Sequence, residues 1–360
     1  MKKIKGTKIK ASSANLNPCF YWFIAAFCSA MISFCAGCIA KTDNEVVVYS
    51  ALDREFAEPI LKRVGPELEL RVLPKFDQES NKTVGLVTEI IQSKARPQAD
   101  VFWNNEILHT LRLQKLGLLE VYRSPAAEVF PSQYISSRDQ WHGFAARARV
   151  LIVNTNLIKD PDQMPDSIYD LADPIWKDKC AIARPLFGTT ATHAAVLFAT
   201  LGETDAVALL TSIANNAVVE GGNKQVAIKV ARGEFAFGLT DTDDAMIELN
   251  KANPVAIVFP DQRSDQMGTL LIPNTLSIIK NGPNPARARM LVDRLLAADV
   301  EEELAQSQSA QIPLNRSITT KSPAVPDSLS LKIMDVDFER AAEQWDQATK
   351  IMTQLFPVGN

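Results

Sequence analysis

EVVVYSA (45–51), REFAEPILKRVG (54–65), LELRVLP (68–74), TVGLVTEIIQSK (83–94), ADVFW (99–103) and ILHTLRLQKLGLL (107–119) follow one another in a single run and set the fold. The first is short, apolar and rich in β-branched residues, the pattern of a strand buried on both faces. The second places Phe56, Ile60, Leu61 and Val64 at helical spacing. The third alternates like a strand, the fourth is amphipathic like a helix, the fifth is again a strand, and the sixth is a helix closed by Gly117. Strand and helix in regular alternation predict a parallel sheet with helices on both faces.

The pattern continues outward. ARVLIVN (148–154), EFAFGLT (234–240) and TLSIIK (275–280) read as strands. TDAVALLTSIANN (204–216) reads as a helix, as does PARARMLVDRLLAA (285–298), with Pro in its first turn. No repeat of fixed period is present. FERAAEQWDQATKIMTQLF (338–356) puts Phe338, Ala341, Ala342, Trp345, Ala348, Met352, Leu355 and Phe356 on one stripe, so it predicts one helix strapped onto a lobe. The Pro- and Ser-rich segment before it, 319–330, reads as a surface crossing.

At 360 residues the chain has room for two domains, and its composition is that of a folded protein rather than a disordered or polytopic one. Lys2, Lys3, Lys5, Lys8 and Lys10 form a basic head, and FYWFIAAFCSAMISFCAG (20–37) is nearly uncharged. Residues 1–37 therefore read as an export signal. The stretch ends in Cys35-Ala36-Gly37-Cys38, which resembles a bacterial lipobox with Cys38 as the lipidated first residue. Cys35 stands where Leu is usual. A retained membrane anchor is the other reading of this segment, and both place the body outside the cytoplasm, the first as a lipid-anchored periplasmic protein. With net charge −4 overall, the body is more acidic still, since the lysines concentrate in the head. An acidic body argues against nucleic acid as a partner. Cys180 is the one cysteine beyond Cys38, so no internal disulfide is expected, and its apolar neighbours read as a core position.

In open α/β sheets ligands gather beyond the carboxyl ends of the strands. That rule selects Ser50 to Asp53, Asn104-Asn105-Glu106, Gly188-Thr189-Thr190, and Asp241 to Asp244. FGTTATH (187–193) is a small, hydroxyl-rich turn at a helix start, fit either to bind an anion or simply to cap the helix. Asp53, Glu106, Asp241 and Asp243 or Asp244 supply hard oxygen ligands for a cation and equally suit an ammonium group, while Asp243 and Asp244 also read as ordinary acids of a first helical turn. His109, His142 and His193 are isolated, at no zinc spacing. No G-x-S-x-G, H-E-x-x-H or Walker loop occurs, so the chain does not read as an enzyme.

VVVYSALDREF (46–56), ADVFWNNE (99–106), ARARVLIVNTNLI (146–158), YDLADPIWKDKCAIARPLFGTTATH (169–193), GEFAFGLTDTDDA (233–245), PNTLSIIKNGPNPARARMLVDRLL (273–296) and QIPLN (311–315), in that order, resemble a periplasmic substrate-binding protein of an ABC importer. The resemblance is to the ferric-ion-binding branch and covers roughly 45–316. It implies an α/β, two-lobed type II periplasmic-binding-protein fold with crossover strands and a central ligand cleft. It divides the body into a first lobe, 44–146 plus 271–316, and a second, 147–270 plus 317–360, the latter with the strapping helix. It implies a monomer whose partners are the importer's permease subunits, with the ATPase on a separate chain, and no catalytic cofactor. The transported ligand would be Fe(III) with carbonate or phosphate, the anion held by Gly188, Thr189, Thr190 and Arg147, and the metal, or an ammonium group, by Asp53, Asn105, Glu106, Asp241 and Asp243. The chain departs from the branch in one respect. The relatives' adjacent tyrosine pair is missing from GLTDTDDA (238–245), and their Glu falls on Asn105. Import of an aminoalkylphosphonate or another small anionic or zwitterionic solute is the alternative, and a ligand-sensing lipoprotein without an importer is the alternative of another class.

Overall fold

The computed structural model describes residues 44–76 and 83–357. The export signal and Cys38 lie outside them. The opening run forms β1 (Glu45–Ser50), α1 (Arg54–Glu67), β2 (Arg71–Phe76), α2 (Val84–Gln92), β3 (Val101–Asn104) and α3 (Leu108–Lys115). β1 pairs in parallel with both β2 and β3, as the alternation predicts. The expected strand at 68–74 starts three residues late because α1 runs on to Glu67 and the chain then turns through Glu69, at φ 56°.

The chain continues through β4 (His142–Asn154), β5 (Cys180–Ala183), α4 (Gly188–Leu201), α5 (Glu203–Asn216), β6 (Val218–Glu220), α6 (Asn223–Ala231), β7 (Phe237–Asp241), α7 (Thr242–Asn250) and β8 (Val255–Val258). It then forms β9 (Leu271–Ile278), α8 (Pro285–Leu295), α9 (Ala298–Gln306), α10 (Phe338–Glu343) and α11 (Trp345–Leu355). The strand order is β2-β1-β3-β9-β4-β7-β5-β6, with β8 beside β4.

β4 joins two halves. From His142 to Ala148 it pairs antiparallel with β9, whose other neighbour is β3. From Arg149 onward its partners are β7 and β8. All 13 of its residues are buried. Only 148–154 was legible as strand, because HGFAAR lacks β-branched residues and gains its place from β9 and from bridges to Ile135 and Ile312. The return crossing is the segment before β9, where the Arg149 amide donates to the Leu270 carbonyl. A third strand of chain lies along it, with Thr269 and Met334 exchanging backbone hydrogen bonds with Lys332 and Thr269 respectively. Gly268 is required there. Its φ is +88°, and a Cβ would meet the Lys332 carbonyl and Met334 amide at 2.9 Å.

The C-terminal segment is two helices, not the single one expected over 338–356. It breaks at Gln344. The reason is that its ends are drawn into different cores. Phe338 and Ala341 pack in the core that holds Trp103, Tyr134 and Trp141, whereas Ala348, Met352 and Phe356 pack with Leu197, Phe198 and Leu210. The strap therefore rests on both halves rather than on the second alone, with α10 packed on α3 as well as α4. His109 and Trp345 meet edge to face at 5.9 Å.

Candidate functional site

Arg147 and Arg149 are two apart on β4 and share one face. Asp241, the last residue of β7, is the direct antiparallel partner of Arg149. Arg149 is fully buried and Asp241 is 1% exposed. A buried guanidinium needs a counter-charge and fixed acceptors, and this one has them. Its Nη1 donates to Asp241 Oδ1 at 2.6 Å, and its Nη1 and Nη2 reach the hydroxyls of Thr189 and Thr190 at 3.3 and 3.2 Å. The other Asp241 oxygen accepts from Thr189 Oγ1 at 2.6 Å and Asn223 Nδ2 at 2.9 Å, with Arg147 Nη1 at 3.4 Å. Burial opposes the charge on Asp241, but Arg149 and then Arg147 outweigh it and hold the carboxyl below its usual range.

Asp243 and Asp244 follow in the first turn of α7. Carboxylate oxygens of Asp241, Asp243 and Asp244 lie within 4.8 Å of one another. Arg147 Nη1 is 3.2 Å from Asp243. Burial nevertheless pushes the Asp243 carboxyl above its ordinary value, and the negative charges of Asp241 and of Asp53 add to that, against the pull of Arg147. Asp53 precedes α1 in the first half, so the two halves bring like charges together here.

On the first-half side, Glu106 caps α3. Its carboxylate accepts the amides of Leu108 at 2.7 Å and His109 at 3.0 Å, and Asn104 Nδ2 at 3.1 Å. Asn105 turns its amide to Thr83 and offers its carbonyl to Arg147 Nη2 at 2.6 Å. Thr192, on α4, donates to Glu106 Oε2 at 3.1 Å.

The bacterial extracellular solute-binding protein family matches residues 99–341. The chain belongs to this family. As an extracellular solute-binding protein it works outside the cytoplasm, and among the described residues no helix is long and apolar enough to cross a membrane. It is 26% identical over 304 residues to iron uptake protein A1 of Synechocystis, spanning 78% of this chain and 81% of that one. Iron-bound HitA from Pseudomonas aeruginosa superposes with TM-score 0.76 at 20% identity, over 87% of this chain and 99% of that one. AfuA from Actinobacillus pleuropneumoniae, with fructose-6-phosphate bound, gives 0.74 at 23%, over 88% and 100%. These structural likenesses establish the two-lobed type II fold.

In this solute-binding protein the residues selected from sequence lie close to one another, and each has contacts within the protein. Asp241 and Glu106 were expected to face a cation. In this structure Asp241 is the counter-ion of two arginines and also lies within 4.8 Å of the Asp243 and Asp244 carboxylates, and Glu106 accepts from the head of α3 and from Thr192. Thr189 and Thr190, expected to face an anion, give their hydroxyls to Asp241 and Asn223. Gly188 opens α4 at φ +59°, which favours glycine. Trp103 packs on Phe144 and Tyr49 bonds Glu89, both away from the acidic corner, while Phe187 is 60% exposed. His193 is buried, and burial together with Arg149 lowers its pKa to about 3. Burial pushes the Cys180 thiol up to about 12. Asn223 and Thr192 were missed. Only the β4–β7 register, a pairing of distant segments, puts Arg149 opposite Asp241.

Proposed function

We propose that the protein binds ferric ion with a synergistic anion, carbonate or phosphate, between its two halves and delivers it to the permease subunits of an ABC importer. The observation that carries this is the acidic corner of Asp241, Asp243 and Asp244, whose carboxylate oxygens lie within 4.8 Å of one another and where the charge of Asp53 from the other half is felt at Asp243, like charges that a cation would join. Arg147 stands beside this corner with its Nε unpartnered, suited to the anion along with the head of α4 at Gly188. The names of iron uptake protein A1 and iron-bound HitA support the same reading. Anchoring through a lipid on Cys38 and a monomeric state complete it.

A zwitterionic phosphonate is the second reading. It is favoured by the absence of tyrosine from the acidic corner. Among the described tyrosines, Tyr122 bonds Asp293, Tyr49 bonds Glu89, Tyr134 is in the core and Tyr169 is half exposed. The deciding experiment is a thermal melt of the stripped protein from residue 39 onward, with ferric iron plus bicarbonate or citrate against an aminoalkylphosphonate. A ligand at one hundred times its Kd adds about 2.7 kcal/mol, a rise of roughly 4 °C. A rise with iron only when the anion is present upholds the ferric reading. A rise with phosphonate alone overturns it and makes the acidic corner an ammonium site.

A further inference from the structure

We propose that Thr192 and Glu106 form a clasp between the two halves that sets how long the closed form holds its ligand. The effect on ligand rests on the binding role proposed above, but the clasp itself is a contact of protein with protein. Thr192 is fully buried and Glu106 is 2% exposed. Thr192 stands on α4 in the second half, and Glu106 lies just before α3 in the first half and accepts its leading amides. A hydroxyl donating to a carboxylate is a charge-assisted bond, stronger than a neutral one.

The Thr192 hydroxyl has two acceptors. One is Glu106 Oε2 across the cleft at 3.1 Å, and the other is the Gly188 carbonyl of its own helix at 3.2 Å. When the halves part, the hydroxyl keeps the Gly188 carbonyl, an ordinary bond to the residue four back in a helix. Glu106 keeps the amides of Leu108 and His109. Opening therefore leaves no buried polar group without a partner, and what it loses is the single charge-assisted bond across the halves. The strap supports it from behind, since α10 packs on the same two helices that the clasp joins. Arg147 makes a parallel tie to the Asn105 carbonyl, but it also faces the acidic corner. Thr192 shares no hydrogen bond with Asp243 or Arg147 and is a positioning residue, acting on the ligand through closure.

The test compares wild type with Thr192→Val and Thr192→Ser. Thr192→Val keeps the shape and removes the hydroxyl, and Thr192→Ser restores it. Solution scattering on the ligand-free chains should give a larger radius of gyration for Thr192→Val than for wild type, with Thr192→Ser returning to wild type. Stopped-flow release of the ligand found by the melts should accelerate about tenfold in Thr192→Val, the equivalent of about 1.4 kcal/mol, with association unchanged within about twofold. A variant damaged merely in packing would lose its melting temperature and would not be rescued by serine. Equal radii and equal release rates in wild type and Thr192→Val overturn the clasp. If no tested ligand binds wild type, the ferric and phosphonate readings fail, and the ligand-free scattering comparison alone decides the clasp.

Discussion

Asp241 and Asp243 are two residues apart and have opposite electrostatic fates. Asp241 lies against Arg149 and Arg147, and its carboxyl is held low. Its stabilising contribution is present above the carboxyl's unfolded pKa and is lost only as pH falls through the lowered native one. Asp241→Asn leaves Arg149 buried without its counter-charge, so the expected cost is about 3–5 kcal/mol, read from chemical denaturation. Asp243 is raised by burial and by Asp241 and Asp53. The native state therefore holds its proton more tightly than the unfolded chain, and stability of the ligand-free protein falls as pH rises from the unfolded pKa toward the native one. Asp243→Asn, which abolishes that charge, should leave the ligand-free protein at least as stable as wild type at neutral pH while removing the melt shift given by iron. A cation must displace the same proton, so iron affinity should rise with pH across the raised Asp243 pKa, with proton release measurable by titration calorimetry in two buffers. Coordination by carboxylates without phenolate should also leave the iron complex without the strong visible band that tyrosine ligands give. A deeply coloured complex would remove the acidic corner from the site.

Elements whose pattern is local were legible in the sequence. β1, α1 and α3 follow from apolar periodicity, and the run from 45 to 119 is where expectation and structure agree within a few residues. β4 was legible only in its second part, where LIV supplies the β-branched signal, because the first part is strand by virtue of β9. The candidate site divides in the same way. The loops at the strand ends were predictable from the rule that ligands gather there, but the internal pairing of Asp241 with Arg149 depends on a register between segments about ninety residues apart. The strap illustrates a third case. Its stripe was visible, but its break at Gln344 answers to two cores that no local pattern describes. Met352→Ala should cost about 2–5 kcal/mol in urea denaturation, because that side chain is buried in the second-half core. Gly268→Ala should destabilise by more than about 1 kcal/mol, the amount by which alanine can stabilise a position whose backbone accepts it. A methyl there combines a left-handed φ with a clash against two backbone groups that cannot swing aside.

At the scale of the whole molecule, β4, the segment before β9 and residues 332–334 run together where the chain passes between the halves, and the acidic corner of Asp241, Asp243 and Asp244 lies beside that crossing. Carboxylates of both halves approach there, so closing without a cation brings like charges together, whereas Arg147–Asn105 and Thr192–Glu106 favour closing. The balance between these opposed contacts is what a ligand shifts, and it can do so only by its different affinity for the two forms. A compact chain of this length has a radius of gyration of about 20 Å. Scattering from the chain lacking its export signal should give a value near that with saturating ligand and a larger one without. The difference should shrink at mildly acid pH, because protonating Asp243 weakens the like-charge repulsion that opposes closing. A ligand-free radius that does not fall on acidification would separate the acidic corner from the closing motion and leave that motion governed by the uncharged contacts alone.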